Sequence, residues 1–295
     1  AAQNERRETM KRYALPLFLI ILIMTSLACQ ITVNAPDLRN PNVMDQPETL
    51  TINEPAPAST PASLELSMSA GKLNLTGGGA SYVSGTVRYN LENQKPSIRR
   101  DGSKLVIDQD ELRNVLNVGT DVINEWDIRL GNTPTALQIN AGAYEGTLSL
   151  GGVPLTRLEI NDGASKSDVT FDQSNPESME LLSYKTGASQ VDMTGLANAN
   201  FREMTFDSGA GDYTLDFSGE LKQDASVRIT SGVSNIEIVI PDGMRARIEV
   251  DGSLNNVTQR GVWNVQDRTY ETQGSGPLLT IHVEMSVGQL ELIHR

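Results

Sequence analysis

The chain has 295 residues, with 24 Lys or Arg and 37 Asp or Glu, and its formal net charge is −13. Such an acidic surface repels phosphate backbones, so nucleic acid is excluded as an expected partner. The single cysteine excludes an internal disulfide and a cysteine-based zinc site.

Residues 1–29 have the layout of a secretory signal. Two basic residues precede an apolar run, Ala14–Met24, and small residues then lead to Cys29. The run is shorter than the roughly 20 residues that cross a bilayer comfortably. We therefore expect the bulk of the chain to lie outside the cytoplasm, anchored at the cell membrane.

The cysteine that ends this segment resembles the lipobox of bacterial lipoproteins. That resemblance implies cleavage after Ala28 and a lipid on Cys29, which would then be the anchor. The lipobox pattern favours Leu three residues before the cysteine, where this sequence has Ser26. An uncleaved signal anchor is the alternative.

Residues 30–62 change in composition. Six prolines stand among Asn, Asp, Glu, Ser and Thr, and no apolar periodicity is visible. This composition predicts an extended, disordered tether between the membrane and a folded body.

Residues 63–128 predict a small N-terminal β-domain. Short apolar alternations indicate strands, and Asp101-Gly102 between a polar flank and an apolar run indicates a hairpin. A short helix is expected around residues 109–118. We expect this domain to pack on the body that follows and to cap its open end.

From residue 129 to residue 295 one sequence pattern recurs, in which alternating apolar residues lead to a glycine and the alternation resumes after it. Its contiguous copies are 20 to 24 residues apart, a period typical of a β-solenoid. Stacked rungs would bury the inward side chains in one continuous core, and glycine would allow a corner through positive φ or close backbone approach. The predicted corner glycines are Gly71, Gly142, Gly163, Gly187, Gly209, Gly232, Gly252 and Gly288.

The sequence also resembles a known family. "LELSMSAGKLNLTGG" followed by "VRYN" and "LVIDQ" is similar to the N-terminal domain of the toast-rack family. Residues 124–152, with Trp126, Pro134 and Gly142, resemble the junction into the LiaF-like domain, and the later rungs resemble adhesin domains of β-solenoid type. The resemblance implies an all-β solenoid and a link to responses to cell-wall-active antibiotics. Regulatory members carry several membrane helices before the solenoid, whereas this sequence has one apolar segment.

Candidate chemistry along the chain is sparse. Five aspartates near the corners could hold calcium, but they do not align between copies, which favours turn stabilisation. The two histidines lack metal-ligand spacing, and the two tryptophans are expected in packing. We therefore expect no catalytic site, no metal and no cofactor. The five aspartates are Asp162, Asp168, Asp207, Asp212 and Asp251, the histidines are His282 and His294, and the tryptophans are Trp126 and Trp263.

Three functions follow as hypotheses. The first is a non-enzymatic lipoprotein whose solenoid is an interaction or scaffold surface for envelope proteins, in the envelope stress response that the resemblance implies. The second is an adhesin or a module for cell-wall glycans, which would need an aromatic or Asn/Asp ladder on one face. The third is a polysaccharide-active β-helix enzyme, which would need clustered carboxylates with Arg or Lys in a groove.

Overall fold

The computed structural model describes residues 43–109, 122–252 and 256–295. These residues form one 16-stranded sheet with two short 3-10 helices, Glu92–Gln94 and Leu196–Ala199, so the all-β prediction is confirmed. The strands are β1 (Val43–Glu54), β2 (Ala62–Thr76), β3 (Val83–Leu91), β4 (Ser97–Asp101), β5 (Lys104–Asp108), β6 (Asn124–Leu130), β7 (Thr135–Ser149), β8 (Leu155–Thr170), β9 (Met179–Thr194), β10 (Phe201–Asp216), β11 (Ala225–Ile240), β12 (Gly243–Gly252), β13 (Val257–Arg260), β14 (Asn264–Gln266), β15 (Thr269–Glu271) and β16 (Gly274–His294).

Long parallel strands form the rungs of the solenoid. β2, β7, β8, β9, β10, β11 and β16 lie side by side in that order, each paired in register with the next. Each rung is a single continuous strand that bends at its corner, instead of two short strands. The stretch before the corner is called arm 1 and the stretch after it arm 2.

The bend is visible in which side chains are buried. In β10, Met204 and Phe206 are buried before Gly209, whereas Tyr213 and Leu215 are buried after it. Alternation along a strand has a period of two, so a change from even to odd positions means that the chain turns through the corner. The inner faces of both arms supply one core, as the inward alternation predicts.

Five of the predicted corner glycines lie in one column. The reason is close backbone approach: a Cβ on Gly163 would lie 2.7 Å from the carbonyl oxygen of Gly142. A Cβ on Gly209 would lie 2.5 Å from the corresponding oxygen of Gly187, and one on Gly232 would lie 2.5 Å from that of Gly209. No side chain fits at such distances, so the rungs from β7 to β11 stack through a glycine at this position.

Gly71, Gly252 and Gly288 lie off this column, which corrects their assignment. Gly71 pairs with Tyr144 and Gly288 with Ser234, two positions past the corner. Both have positive φ, of 143° and 136°. A Cβ would also collide with a neighbouring backbone carbonyl oxygen, that of Asn124 for Gly71 and that of Ser234 for Gly288, so backbone conformation and close approach both require glycine there. Gly252 pairs with Met285, one position before the column.

The first and last of these stretches are nevertheless equivalent. "MSAGKLNL" in β2 and "MSVGQLEL" in β16 place Ser69 and Ser286 in the corner column. Met68 pairs with Ala141 and Met285 pairs with Ser231, each one position before a corner glycine, so the serines that follow lie opposite the glycines. The two stretches are therefore similar because they occupy the same place in their rungs. The corner residue of each is its serine, two positions before the glycine that was predicted to form the corner.

The N-terminal region continues the solenoid instead of forming a separate domain. β2 is a complete rung, paired with β7 from Ala62 to Thr76, so the sheet crosses the boundary placed at residue 128. β5 and β6 extend the two arms of β2 in parallel. β4 and β5 form the predicted hairpin, with Gly102 at φ 57°. The helix expected around residues 109–118 lies almost wholly outside the described residues.

The tether predicted over residues 30–62 is wrong for its second half. Residues 43–54 form β1, which pairs antiparallel with β3. Thr49 to Ile52 alternates polar and apolar side chains, and Ile52 is 1% exposed in the core. Pro47 and the acidic residues around this short alternation obscured it in the sequence, while pairing with β3 satisfies its backbone.

The C-terminal strand is an interior strand of the sheet. β16 lies between β11 and β12, although β12 precedes it in the chain. β12 and β13 together form the last rung, because they pair with arm 1 and arm 2 of β16. β15 and β14 then extend arm 1 beyond β12.

Candidate binding surface

A row of polar side chains crosses the outer face of arm 1. Because Leu137 and Ile139 point into the core, Gln138 and Asn140 point outward. The same alternation in the two neighbouring rungs places further polar groups beside them. We call this set the polar ladder: Glu65, Ser67, Gln138, Asn140, Glu159 and Asn161.

Asn140 is the centre of the polar ladder. Its amide nitrogen donates to Glu65 Oε1 at 3.2 Å and to Ser67 Oγ at 3.3 Å. Its amide oxygen accepts from Gln138 and from Asn161, both at 3.2 Å. Hydrogen bonds across three rungs therefore fix the orientation of these amides before any ligand arrives.

The carboxylates of the polar ladder are balanced by neighbouring cations. Lys104 Nζ lies 2.8 Å from Glu65 Oε2, and the Arg157 guanidinium contacts Glu159. These pairs are partly exposed and add little stability. Their effect is to make this part of an acidic protein locally close to neutral.

Two shallow depressions follow the polar ladder beside the corner, and both are lined by Asn161. The first, of about 490 Å³, has Met68 and Ala141 in its apolar part. The second, of about 350 Å³, is lined by Lys185 and Asp207. The surface is thus an open furrow along the stacking axis, a shape that fits an extended ligand better than a small enclosed one.

A cluster of hydroxyl groups lies inside the corner behind this furrow. Tyr184 Oη donates to Asp162 Oδ2 at 2.9 Å, Ser165 Oγ donates to the same oxygen at 3.1 Å, and Thr186 donates to Oδ1. Burial raises the pKa of Tyr184 and of Tyr144, so both phenols keep their protons. Asp162 is therefore a satisfied structural acceptor that braces the corner.

The outer face of arm 2 is acidic. Asp192, Glu237 and Glu291 line a depression of about 370 Å³ there, together with Asp212, which accepts a hydrogen bond from Asn235 at 2.8 Å. One of these four carboxylates, Glu291, is paired with Arg260, whereas both carboxylates of the polar ladder are paired with cations. An acidic face of this kind favours solubility and cationic partners.

The remaining aspartates singled out in the sequence do not converge. Asp207 and Asp251 lie on the outer face of arm 1 and Asp168 on that of arm 2. Within residues 43–109, 122–252 and 256–295, no group of three or more His, Cys, Asp or Glu side chains could hold a metal ion.

The histidines and tryptophans have local structural partners. His282 faces outward, with Nδ1 3.1 Å from Glu249 Oε2, and His294 is held by the Val262 carbonyl at 2.8 Å. Trp126 is buried and donates to Asn124 at 3.0 Å, which agrees with a packing role. Trp263 is partly exposed at the C-terminal end of the sheet.

Cys29 and Ala28 lie outside the described residues. Among the residues that the structure does describe, no helix has the length and apolar character needed to cross a membrane.

The polar ladder was missed in the sequence, although a signal for it exists. Asn140 and Asn161 each stand two positions before a corner glycine, Gly142 and Gly163. Reading every copy at that fixed offset would have aligned them. The hydrogen-bonded partners on β2 could not be found in this way, because Gly71 suggests a register that is wrong by two residues.

Comparison with solved structures finds proteins of bacterial origin, three of which follow. A "putative cell adhesion protein" from Clostridium sporogenes is 18% identical, with a TM-score of 0.44 over 85% of this chain and 99% of that one. A "putative adhesin" from Bacteroides fragilis is 10% identical, with a TM-score of 0.36 over 83% and 95%. A "putative lipid binding protein" from Parabacteroides distasonis is 10% identical, with a TM-score of 0.36 over 85% and 98%. No curated protein matches the chain.

The family comparison agrees with the rung architecture. The model for the N-terminal domain of toast_rack matches residues 42–182 and matches again over residues 179–239. A second match is expected of a repeat protein, since each rung restates the same pattern. Together the matches cover more than half of the sequence, and the chain therefore belongs to the toast-rack family.

Proposed function

We propose that this protein is a non-enzymatic lipoprotein of the bacterial cell envelope. A lipid on Cys29 holds it outside the cytoplasm, and the polar ladder of its solenoid binds an extended partner in the envelope stress response. The observation that carries the proposal is the fixed row of hydrogen-bonding groups across successive rungs, along an open furrow. Solenoids present extended binding surfaces of this kind.

A binding role is supported over catalysis by the state of the polar groups. General acid catalysis needs a carboxyl group whose proton is retained near neutral pH, which burial or a like charge achieves. Glu65 and Glu159 are instead paired with cations on an open face. Such groups suit recognition of a ligand's hydroxyl and amide groups.

The anchor has its own test. Labelling of expressing cells with radioactive palmitate should mark the wild-type chain and leave Cys29→Ala unlabelled and released from membranes. An unlabelled wild-type chain, together with a membrane-bound Cys29→Ala variant, would favour the uncleaved signal anchor.

Glycan binding is the second candidate, and the first depression favours it. Met68 and Ala141 offer an apolar floor, while the amide of Asn161, which is oriented by its hydrogen bond to Asn140, offers polar groups beside it. Sugars present both C–H faces and hydroxyl groups, so they need such a mixed site.

A glycan array separates the two candidates. Under the glycan hypothesis, Asn140→Ala/Asn161→Ala should lose the binding that the wild type shows. Asn235→Ala, which removes an exposed asparagine from arm 2, should retain it and is the matched control. Absence of wild-type binding to every glycan would leave a protein partner as the ligand of the furrow.

A further inference from the structure

The sheet ends in four strands that, within the part of the chain described, pair on one side only. They are β1 and β4 at the N-terminal end and β13 and β14 at the C-terminal end. A free edge presents unpaired N–H and C=O groups and can pair with another chain. Proteins usually protect such edges with charge or proline.

The two edges at the N-terminal end are protected. β1 carries Pro47 and Glu48 within its length. β4 carries three charged residues in five, Arg99, Arg100 and Asp101. Pairing with a second strand would bring these charges against a neighbour.

The C-terminal end lacks this protection. Residues 257–266, which we call the terminal edge, contain β13 and β14 and no proline. Their one charged residue, Arg260, is paired with Glu291 at 2.6 Å. Val262 and Val265 are exposed by 81% and 42%, two of the four large apolar side chains so exposed among the described residues. The terminal edge thus has a single charged residue, already paired within the chain, exposes two valines and is open.

Local contacts hold the terminal edge in its extended form. Trp263 Nε1 donates to the Arg260 carbonyl at 2.9 Å. The indole ring packs edge-to-face on Tyr270, with centroids 6.4 Å apart, and lies 5.7 Å from the ring of His294. A strand held in place before binding loses less conformational entropy when it pairs.

The charge of the molecule indicates which partner can bind the terminal edge. With a net charge of −13, two copies repel each other over most of their surface. The repulsion is weakest where a neutral segment faces a neutral segment. A basic partner would instead be drawn to the acidic face of arm 2, so a second copy of this chain fits the terminal edge best.

We propose that the terminal edge pairs with the terminal edge of a second copy and forms a two-fold symmetric dimer. Antiparallel pairing of β14 with its copy would join the two sheets and cover Val262 and Val265. Because the N-terminal edges are protected, association stops at two subunits and does not continue as a filament. This role is independent of the ligand that the polar ladder binds.

Two experiments on the full chain in detergent test the dimer. In light scattering coupled to size exclusion, the wild type at micromolar concentration should have the protein mass of two chains. Val265→Lys should halve that mass. Val287→Lys is the matched control, because Val287 is also an exposed valine, 60% accessible, and lies outside the terminal edge. This variant should remain dimeric.

The second experiment needs no disruptive change. A photoreactive p-benzoylphenylalanine at position 265 should yield a cross-linked band of twice the chain mass in membranes, and the same probe at position 99 should not. A monomeric wild type, a dimeric Val265→Lys variant, or cross-linking of position 265 to a different protein would overturn the proposal.

Discussion

At the scale of single residues, the corner glycines leave no room for a side chain. In Gly187→Ala, the new Cβ would meet the backbone carbonyl of Gly163. Backbone must move to relieve such overpacking, so we expect the free energy of unfolding to fall by about 1–3 kcal/mol. Ala188→Ser, at the exposed neighbouring position, should change it by less than about 0.5 kcal/mol. Urea unfolding followed by circular dichroism measures both, and equal stability of the two variants would contradict the stacked corner.

A buried tyrosine makes the free energy of unfolding depend on pH in the alkaline range. Burial raises the pKa of Tyr89 to about 12, and its hydrogen bond to Glu48 at 2.7 Å adds to the shift. The unfolded chain's tyrosine titrates near pH 10. The folded state therefore binds the extra proton, and this contribution is complete below about pH 10 and is lost as the pH rises towards 12.

The measurement is the unfolding free energy of wild type and Tyr89→Phe at several pH values in that range. The wild type should lose stability more steeply than Tyr89→Phe as the pH rises. Parallel curves for the two proteins would show that Tyr89 is not buried in the folded state.

At the scale of elements, β1 is the strand whose packing distinguishes the observed fold from the tether predicted for the same residues. Ile52 packs in the core, whereas its neighbour Thr51 is exposed. Ile52→Ala should therefore lower the free energy of unfolding by about 2–5 kcal/mol. Thr51→Ala should have a much smaller effect. If Ile52→Ala unfolded at the same urea concentration as the wild type, residues 43–54 would be outside the folded body.

How well an element could be predicted depended on how often its pattern recurs. The rungs from β7 to β11 were predictable, because the glycine and the inward alternation return five times. β1 was not, since its alternation spans only Thr49 to Ile52 and occurs once. The hairpin of β4 and β5 was predictable from Asp101-Gly102 alone, because that dipeptide has a strong turn preference.

At the scale of the whole molecule, the order of rungs along the chain differs from their order in space. The insertion of β16 between β11 and β12 could not be predicted, because repeat patterns give the period of a stack and not the sequence of its neighbours. Predicting the polar ladder would likewise require knowing which rungs are neighbours in space. Its members lie on three rungs, so only the lateral register brings Glu65, Asn140 and Asn161 together.

The register of the stack can be measured by disulfide formation at the outer corner. Ala164 and Ala188 are exposed and lie directly opposite each other on β8 and β9. Neighbouring strands are about 4.8 Å apart, within the Cα separation of about 4.4–6.8 Å that a disulfide bridges. With Cys29 replaced by Ser, Ala164→Cys/Ala188→Cys should form the bond on mild oxidation. Ala164→Cys/Ala210→Cys, two rungs apart, should not; bond formation in the second pair and its absence in the first would contradict the stacked, glycine-cornered solenoid.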